Sequence, residues 1–382
     1  MTVGKIVPIA DVCNIEYGTR VVQKRDGGNV YPVYGGGGAT FKMDTFNREN
    51  RLVISRFGMS EECTRFVAGR FFLNDSGLTI SPRDGRLLQR FLDYQMLSLN
   101  DEIFSLGKGS AQKNLDVSTF RTLPIFVPDE IEAQQRIVGI LDAAFDGIAT
   151  AKANAEKNLQ NARALFESHL QSVFTQRGEG WVEKPLSELC DIKHGFAFKS
   201  EFFTSEGDYV LLTPGNFYES GGYRDRGEKQ KYYVGDIPRD YVLSEGDLLV
   251  AMTEQAAGLL GSPILVPESD KFLHNQRLGL ITKKPGVTWI NEFFFHVFNT
   301  QAVRKEIHDS ASGVKVRHTS PTKIGEVVVS FPASIPKQRA IVSTLKDLGE
   351  ETQRLESLYQ RKLAALDELK KSLLHQAFSG AL

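Results

Sequence analysis

The sequence predicts an α+β fold built twice. Two globular α/β parts are each followed by a long helix, and the two helices form an antiparallel coiled coil about a pseudo-twofold internal repeat. Three observations carry this expectation. Pro8 to Gly18 recurs as Pro185 to Gly195, an offset of 177, with Val12-Cys13 answering to Leu189-Cys190. A second set recurs at an offset of 204: Gln134, Ile137, Val138, Leu141 and Phe174 answer to Gln338, Ile341, Val342, Leu345 and Phe378. The hydrophobic period also changes, from short β-type runs to helical spacing, at Ile137 and again at Ile341. Self-similarity at a long fixed offset means two copies of one structural unit.

The first globular part is expected over residues 1–128. It is rich in short β-type runs such as Arg51 to Ser55 and Leu78 to Ile80. Segment 87–99 reads as helix, and Leu123 to Pro128 as a strand closed by proline. The first long helix is expected within 129–177. Its apolar or small residues Ile137, Leu141, Ala144, Ile148, Ala151, Ala155, Ala162 and Leu165 keep 4-3 spacing, interrupted at Asn158. The second globular part spans 178–332, with a helical stretch over 291–308 and a strand at Val327 to Pro332. The second long helix lies within 333–382. Its seam is Ile341, Leu345, Leu348, Leu355, Tyr359, Leu366, Leu369 and Leu373, with Thr352 and Lys362 as exceptions. About five heptads of a/d residues argue for a coiled coil, and the simplest partner for each seam is the other copy. The rival is two helices that each pack on their own domain. Residues 176–184 read as the connection between copies. The stretch Gly18–Gly109 is 27 residues shorter than Gly195–Gly313, so a common scaffold carries two different middles.

Bulk composition excludes several classes. Net charge is −1, so the chain does not coat nucleic acid by charge alone. Residues 1–128 carry 16 Lys+Arg against 13 Asp+Glu, and residues 178–332 carry 17 against 21. No apolar run approaches the ~18 residues needed to span a bilayer, and the N-terminus lacks a secretory pattern, so the cytosol is the expected location. Cys13 and Cys190 hold the same place in the two repeats and read as small buried residues; no cluster has metal-ligand spacing.

Several pieces resemble the specificity subunits of Type I restriction-modification systems. They are Gly195-Phe196-Ala197-Phe198-Lys199-Ser200, Glu245-Gly246-Asp247-Leu248-Leu249-Val250-Ala251-Met252-Thr253, Asn275-Gln276-Arg277, the Gln-Arg opening of each long helix, and the closing Ser372 to Gly380. The resemblance covers essentially the whole chain. The first copy departs most, with Arg51 to Arg56 and Asn74-Asp75-Ser76-Gly77 in place of the fuller motifs. The resemblance implies two target-recognition domains, 1–128 and 178–332, each reading one half of a split double-stranded DNA sequence. Two conserved spacer helices hold the halves at a fixed separation. It further implies a subunit that catalyses nothing. Such a subunit docks methyltransferase subunits, two of them, whose cofactor is S-adenosylmethionine, and restriction/translocase subunits join the complex. A coiled-coil protein-protein adaptor that reads no DNA is the alternative.

The strongest candidate DNA contacts form a loop that occurs twice. Lys108, Gln112, Lys113 and Asn114 precede a short strand, and Lys315, Arg317 and His318 sit at the same place in the second copy. Arg and Lys reach guanine O6/N7, and Asn and Gln pair with adenine N6/N7. The same residues also fit a solvated charged loop. Arg56, Lys199, Thr253, Gln276 and Arg277 are candidates because they stand in the family-like motifs. Tyr17 and Arg20 flank the Gly18 turn, where core packing competes with contact. Gly36, in the run Gly35 to Gly38, offers backbone for close approach to a phosphate; the run lacks a following Gly-Lys-Ser/Thr and is no nucleotide loop. Gln134 and Gln338 either cap the helices or touch a methyltransferase. No Asn/Asp-Pro-Pro-Tyr/Phe loop or cofactor-type glycine loop is present, and Thr213-Pro214-Gly215-Asn216-Phe217 is only an echo of one.

Overall fold

A computed structural model describes residues 3–255 and 258–379; Gly380, which closes the last motif, lies outside them. The chain forms two compact units, one of residues 1–158 with 359–382 and the other of residues 159–358. Neither unit coincides with a repeat. Each combines one globular part with portions of both long helices.

In unit one, β1 (Gly4–Pro8), β2 (Cys13–Tyr17), β3 (Tyr31–Tyr34), β4 (Lys42–Met43), β5 (Arg48–Ser55), β6 (Thr64–Leu73) and β7 (Gly77–Pro82) precede α1 (Gln89–Ser98) and α2 (Asn100–Ser105). Then come β8 (Gly107–Lys108), β9 (Asn114–Leu115), β10 (Pro124–Pro128) and the long helix α3 (Ile131–Thr175). The main sheet has strand order β2-β7-β5-β6-β3-β4 and is antiparallel except for β3 on β6. A separate ribbon pairs β1 with β10, register Gly4 to Pro128. The β5–β6 register slips between Glu49 and Arg51, where Asn50 takes φ +48°.

Unit two repeats the plan around a smaller sheet. Its strands are β11 (Trp181–Pro185), β12 (Cys190–His194), β13 (Phe203–Thr204), β14 (Val210–Leu211), β15 (Tyr232–Tyr233), β16 (Leu248–Ala251), β17 (Thr253–Glu254), β18 (Pro263–Leu265), β19 (Phe272–Leu273) and β20 (Leu278–Lys283). After them come α4 (Asn291–Phe298), α5 (Gln301–Asp309), β21 (Arg317–His318), β22 (Val328–Pro332) and the long helix α6 (Ile335–Phe378). The sheet β12-β20-β16-β18 is antiparallel throughout, and β11–β22 repeats the ribbon of unit one. The inserted middle builds a second sheet, β13-β15-β14-β19. Two expectations need adjustment. Segment 291–308 is two helices, because the Thr300 side chain caps α5 after α4 ends. Residues 181–184 of the expected connection belong to strand β11.

Each core takes in the end of the other copy's helix. In unit one, Ile137 and Leu141 of α3 join Leu374 and Ala377 of α6 among Phe91, Leu92, Phe120 and Ile125. In unit two, Leu170 and Phe174 of α3 join Leu345 of α6 among Leu186, Phe293, Phe294 and Val329. The C-terminal phenylalanines are equivalent: Phe378 packs 5.2 Å from Phe91, and Phe174 packs 5.5 Å from Phe293. In both units α3 and α6 therefore run antiparallel, early residues of one meeting late residues of the other.

The expected seam holds along both helices except at two positions. Ile137, Leu141, Ile148 and Leu345 are buried, and Ile341, Leu348, Leu355, Leu366 and Leu373 are half-buried. Leu165 and Leu369 are corrections: they stand 54% and 46% exposed. Both lie four heptads beyond the seam's first isoleucine. A straight α-helix drifts ~20° per heptad from a strict seven-residue repeat, or about 80° over four. On α3 the neighbouring Phe166 is half-buried instead, and on α6 Leu374 is buried. Thr352 is a correction in the other sense. It is buried at the place equivalent to Ile148, and so belongs to the seam.

Asp93 on α1 is 3% exposed, and its Oδ1 accepts from Gln89 Nε2 at 2.8 Å. Burial pushes its carboxyl up to about 6, against the hydrogen bond from Gln89 and the nearby Arg90 and Arg51. The folded state thus favours the neutral acid. Its stabilising contribution is full below the unfolded pKa near ~4 and is lost as pH rises through about 6. Asp93→Asn should therefore raise stability by about 2 kcal/mol at pH 7.5 and by nothing at pH 3.5. Urea denaturation at the two pH values checks this.

Candidate nucleic-acid interface

The two copies share one backbone device, and it explains why glycines recur. A Cβ on Gly18 would lie 1.9 Å from the Asn74 carbonyl oxygen, and one on Gly195 would lie 2.1 Å from that of Asn275. Thr19 N donates to Leu73 O at 3.0 Å, as Phe196 N donates to His274 O at 2.9 Å. Arg56 N donates to Ser76 O and Leu115 N to Arg56 O, both at 2.8 Å. In unit two, Met252 N donates to Arg277 O at 2.9 Å and Thr319 N to Met252 O at 3.0 Å. Gly109 and Gly313 turn the basic loop with φ +119° and +100°, where a Cβ would meet Gln112 O or Val316 O.

In unit one these bonds gather much of the predicted set. The Arg56 guanidinium lies 4.9 Å from the Tyr17 ring and 4.5 Å from the Phe57 ring. Arg56, Phe57, Lys108 and Asn114 line one open groove with Asp116 and Ser118. Asn114 Oδ1 accepts from Gly58 N at 3.3 Å, and Lys108 Nζ pairs with Asp116 Oδ2 at 2.5 Å. Lys108, with Ser118 and Thr119, holds the Asp116 carboxyl well below the usual carboxylate range. Lys113 Nζ sits 4.0 Å above the Phe104 ring. Gln112 is exposed on the same loop, and Arg20 is exposed on the segment after Gly18. Gly36 is seated inside rather than at the surface. Its carbonyl accepts from Ser55 Oγ at 2.6 Å and Arg65 Nη2 at 3.0 Å, leaving Gly37 and Gly38 as the exposed glycines of the run.

In unit two, β17 lies on β21, so Thr253 faces His318 and Glu254 faces Arg317. Arg317 is half-buried; its guanidinium contacts the His308 ring and donates to His308 O at 2.7 Å. Lys315 is exposed, and Val314 beside it is 99% exposed. Gln276 and Arg277 are exposed, tied to the scaffold by Gln276 N to Phe196 O at 3.0 Å and Arg277 N to Asn275 Oδ1 at 3.1 Å. Lys199 is exposed further along the segment from Phe196.

Sequence reasoning missed Phe57, Phe104, His308, Glu254 and Val314. Phe104 and His308 are equivalent under the 204 offset, and each receives the equivalent cation, Lys113 or Arg317. The offset therefore held the signal. Glu254 is 3% exposed and fastens its loop through one oxygen, Oε2, which accepts at 3.0 Å from the amides of Gly258, Leu259 and Leu260. Gln134 and Gln338 are resolved as internal: both are fully buried and bound to backbone. Cys13, Cys63 and Cys190 are buried free thiols. Among the described residues no acid, histidine and cysteine cluster suits a metal, and no helix is long and apolar enough to cross a membrane.

Fold and site together define a duplicated α+β protein that presents one loop scaffold twice with different side chains. The family profile of the Type I restriction modification DNA specificity domain matches residues 4–160 and 178–363, and the chain belongs to that family. The Type I restriction enzyme EcoBI specificity subunit of Escherichia coli is 24% identical over 223 residues, 58% of this chain. That match spans 43% of the relative's length. Two solved structures share the fold. One, from work on complex assembly and conformational transition of the type I R-M system, has TM-score 0.73 at 15% identity, covering 99% of this chain and 98% of that one. The HsdS subunit from Thermoanaerobacter tengcongensis has TM-score 0.58 at 16% identity, covering 99% and 97%.

The close approach at Gly195 makes a specific demand. Gly195→Ala should cost about 1–3 kcal/mol, because the new methyl meets backbone and not a movable side chain. Gly37→Ala, whose Cβ would have nothing within 4 Å, should change stability far less. Chemical denaturation of the two variants compares them.

Proposed function

We propose that the chain is a DNA-sequence specificity subunit that reads a bipartite target, one half with each globular part. The observation that carries this reading is the doubled loop cluster: one backbone, two sets of base-competent side chains. A scaffold that repeats while its exposed residues differ suits two similar but non-identical half-sites. In unit one the contacts are Arg56, Lys108, Gln112, Lys113 and Asn114, with Tyr17 and Arg20 beside them. In unit two they are Thr253, Gln276, Arg277, Lys315, Arg317 and His318, with Lys199 beside them. Cationic members reach phosphates and guanine, and amides pair with adenine.

The subunit itself catalyses nothing in this proposal. Methyltransferase subunits, two of them, and restriction/translocase subunits assemble with it in the cytoplasm, and S-adenosylmethionine belongs to the methyltransferase. The long helices serve as the ruler. Helix α3, with 45 residues, is about 67 Å long, against a B-DNA turn of ~34–36 Å.

Two experiments test this. Duplex-DNA affinity of the purified chain, with its methyltransferase where needed, should fall steeply with salt. Lys113→Ala with Arg317→Ala should weaken binding at both half-sites and flatten that slope by up to about two phosphate contacts. Affinity that is indifferent to salt and to both substitutions would refute DNA reading by these loops. Separately, removing one heptad from each long helix shortens the rods by about 10 Å. The methylated target should keep both half-sites and lose roughly three base pairs of spacer, as read by mapping methylated positions. An unaltered spacer would refute the ruler.

A further inference from the structure

The two long helices carry opposite charges at equivalent places, and those places meet. In unit one, Lys152 of α3 pairs with Asp367 of α6. In unit two, Arg163 Nε of α3 lies 3.2 Å from Glu356 Oε2 of α6. Under the 204 offset, Lys152 is equivalent to Glu356 and Arg163 to Asp367. The first copy therefore holds a cation at both places and the second an anion. Pairing two copies of α3 in the same antiparallel register would set Lys152 against Arg163. Pairing two copies of α6 would set Glu356 against Asp367.

Side-chain volume follows the same logic. Lys370 Nζ lies 5.2 Å from the Phe145 ring centroid in unit one. In unit two, a Cβ on Gly349 would sit 3.6 Å from Phe166 Cε2. Phe145 is equivalent to Gly349, and Phe166 to Lys370. Same-copy pairing would oppose Phe145 to Phe166 in one coil and Gly349 to Lys370 in the other. One arrangement is overfilled and the other leaves a gap.

We propose that these four repeat-equivalent positions form a pairing code: each long helix accepts the other copy's helix and rejects a second copy of itself. Each ion pair is partly exposed and individually weak. The code works by the difference between partners, because the wrong partner meets repulsion and misfit at all four positions. Its effect is to keep one chain's two globular parts joined as an unlike pair.

Full-length charge variants test the code. Lys152→Glu with Arg163→Glu, and separately Glu356→Lys with Asp367→Lys, should each lower the unfolding midpoint by about 2–4 °C at low ionic strength. All four changes together should return it to within about 1 °C of the unaltered chain, and the differences should shrink at 1 M salt. Both double variants should keep the unaltered chain's mass in sedimentation, because same-copy pairing in them still opposes like charges. A fourfold variant no more stable than the doubles would overturn the proposal. So would a double variant that self-associates.

Discussion

One buried amide in each copy fixes how a long helix leaves its globular part, and the rest of the structure depends on it. Gln134 Oε1 accepts from Leu88 N, and its Nε2 donates to Arg86 O, both at 2.8 Å. Gln338 does the same with Ile290 N at 3.2 Å and Thr288 O at 3.1 Å, and adds Pro332 O at 3.0 Å. A buried amide with all its groups satisfied is strongly directional, since any rotation strands a donor or acceptor in the core. The glutamine therefore sets the rotational phase of the helix one turn before Ile137 or Ile341. Phase decides which residues face the seam, and the seam decides which charges meet. A contact with a partner protein could not perform this task, because the amide is closed to solvent.

The glutamine explains the edges the two copies share, and the loop cluster explains how their middles can differ. Gly109 and Gly313 impose the same turn; Phe104 and His308 receive the equivalent basic residue, Lys113 or Arg317, from that turn. The loop's backbone is therefore settled by local sterics and by one ring contact before any exposed side chain is specified. Ser110 and Val314, at equivalent tip positions, are free to differ in polarity without disturbing it. Within the middles, which differ by 27 residues, the pairing β15-β14-β19 of unit two still repeats β4-β3-β6 of unit one.

The duplication, the long helices and the strands β10 and β22 were legible in the sequence because each rests on local chemistry. Heptad spacing named the helices, proline closed β10 and β22, and the offsets of 177 and 204 paired the copies. What was not legible depended on distance through space. Leu165 and Leu369 follow the heptad on paper, yet the drift of a straight helix turns them to solvent. Thr352 looked like an interruption because its polarity was weighed and its phase was not. Trp181 to Lys184 read as connection because its partner β22 lies far along the chain. Gly36 looked like a phosphate seat, but its neighbours Ser55 and Arg65 come from other strands.

The same distinction bears on charge. A net charge of −1 gives no hint of a polyanion partner, and most of the cations in the loop clusters already have internal companions. Arg56 rests on two rings, Lys113 on Phe104, Lys108 on Asp116 and Arg317 on His308. A cation over an exposed ring is held by only about 0.5–1 kcal/mol, much less than a charge-assisted hydrogen bond in a desolvated interface. These companions therefore restrain the side chains without consuming them. In unit one they hold Arg56 and Lys108 beside one groove, and in unit two they hold Arg317, each in few rotamers, which lowers the ordering entropy that a ligand would cost. On the proposed function, specificity rests on geometry held in advance, which suits a chain of almost zero net charge.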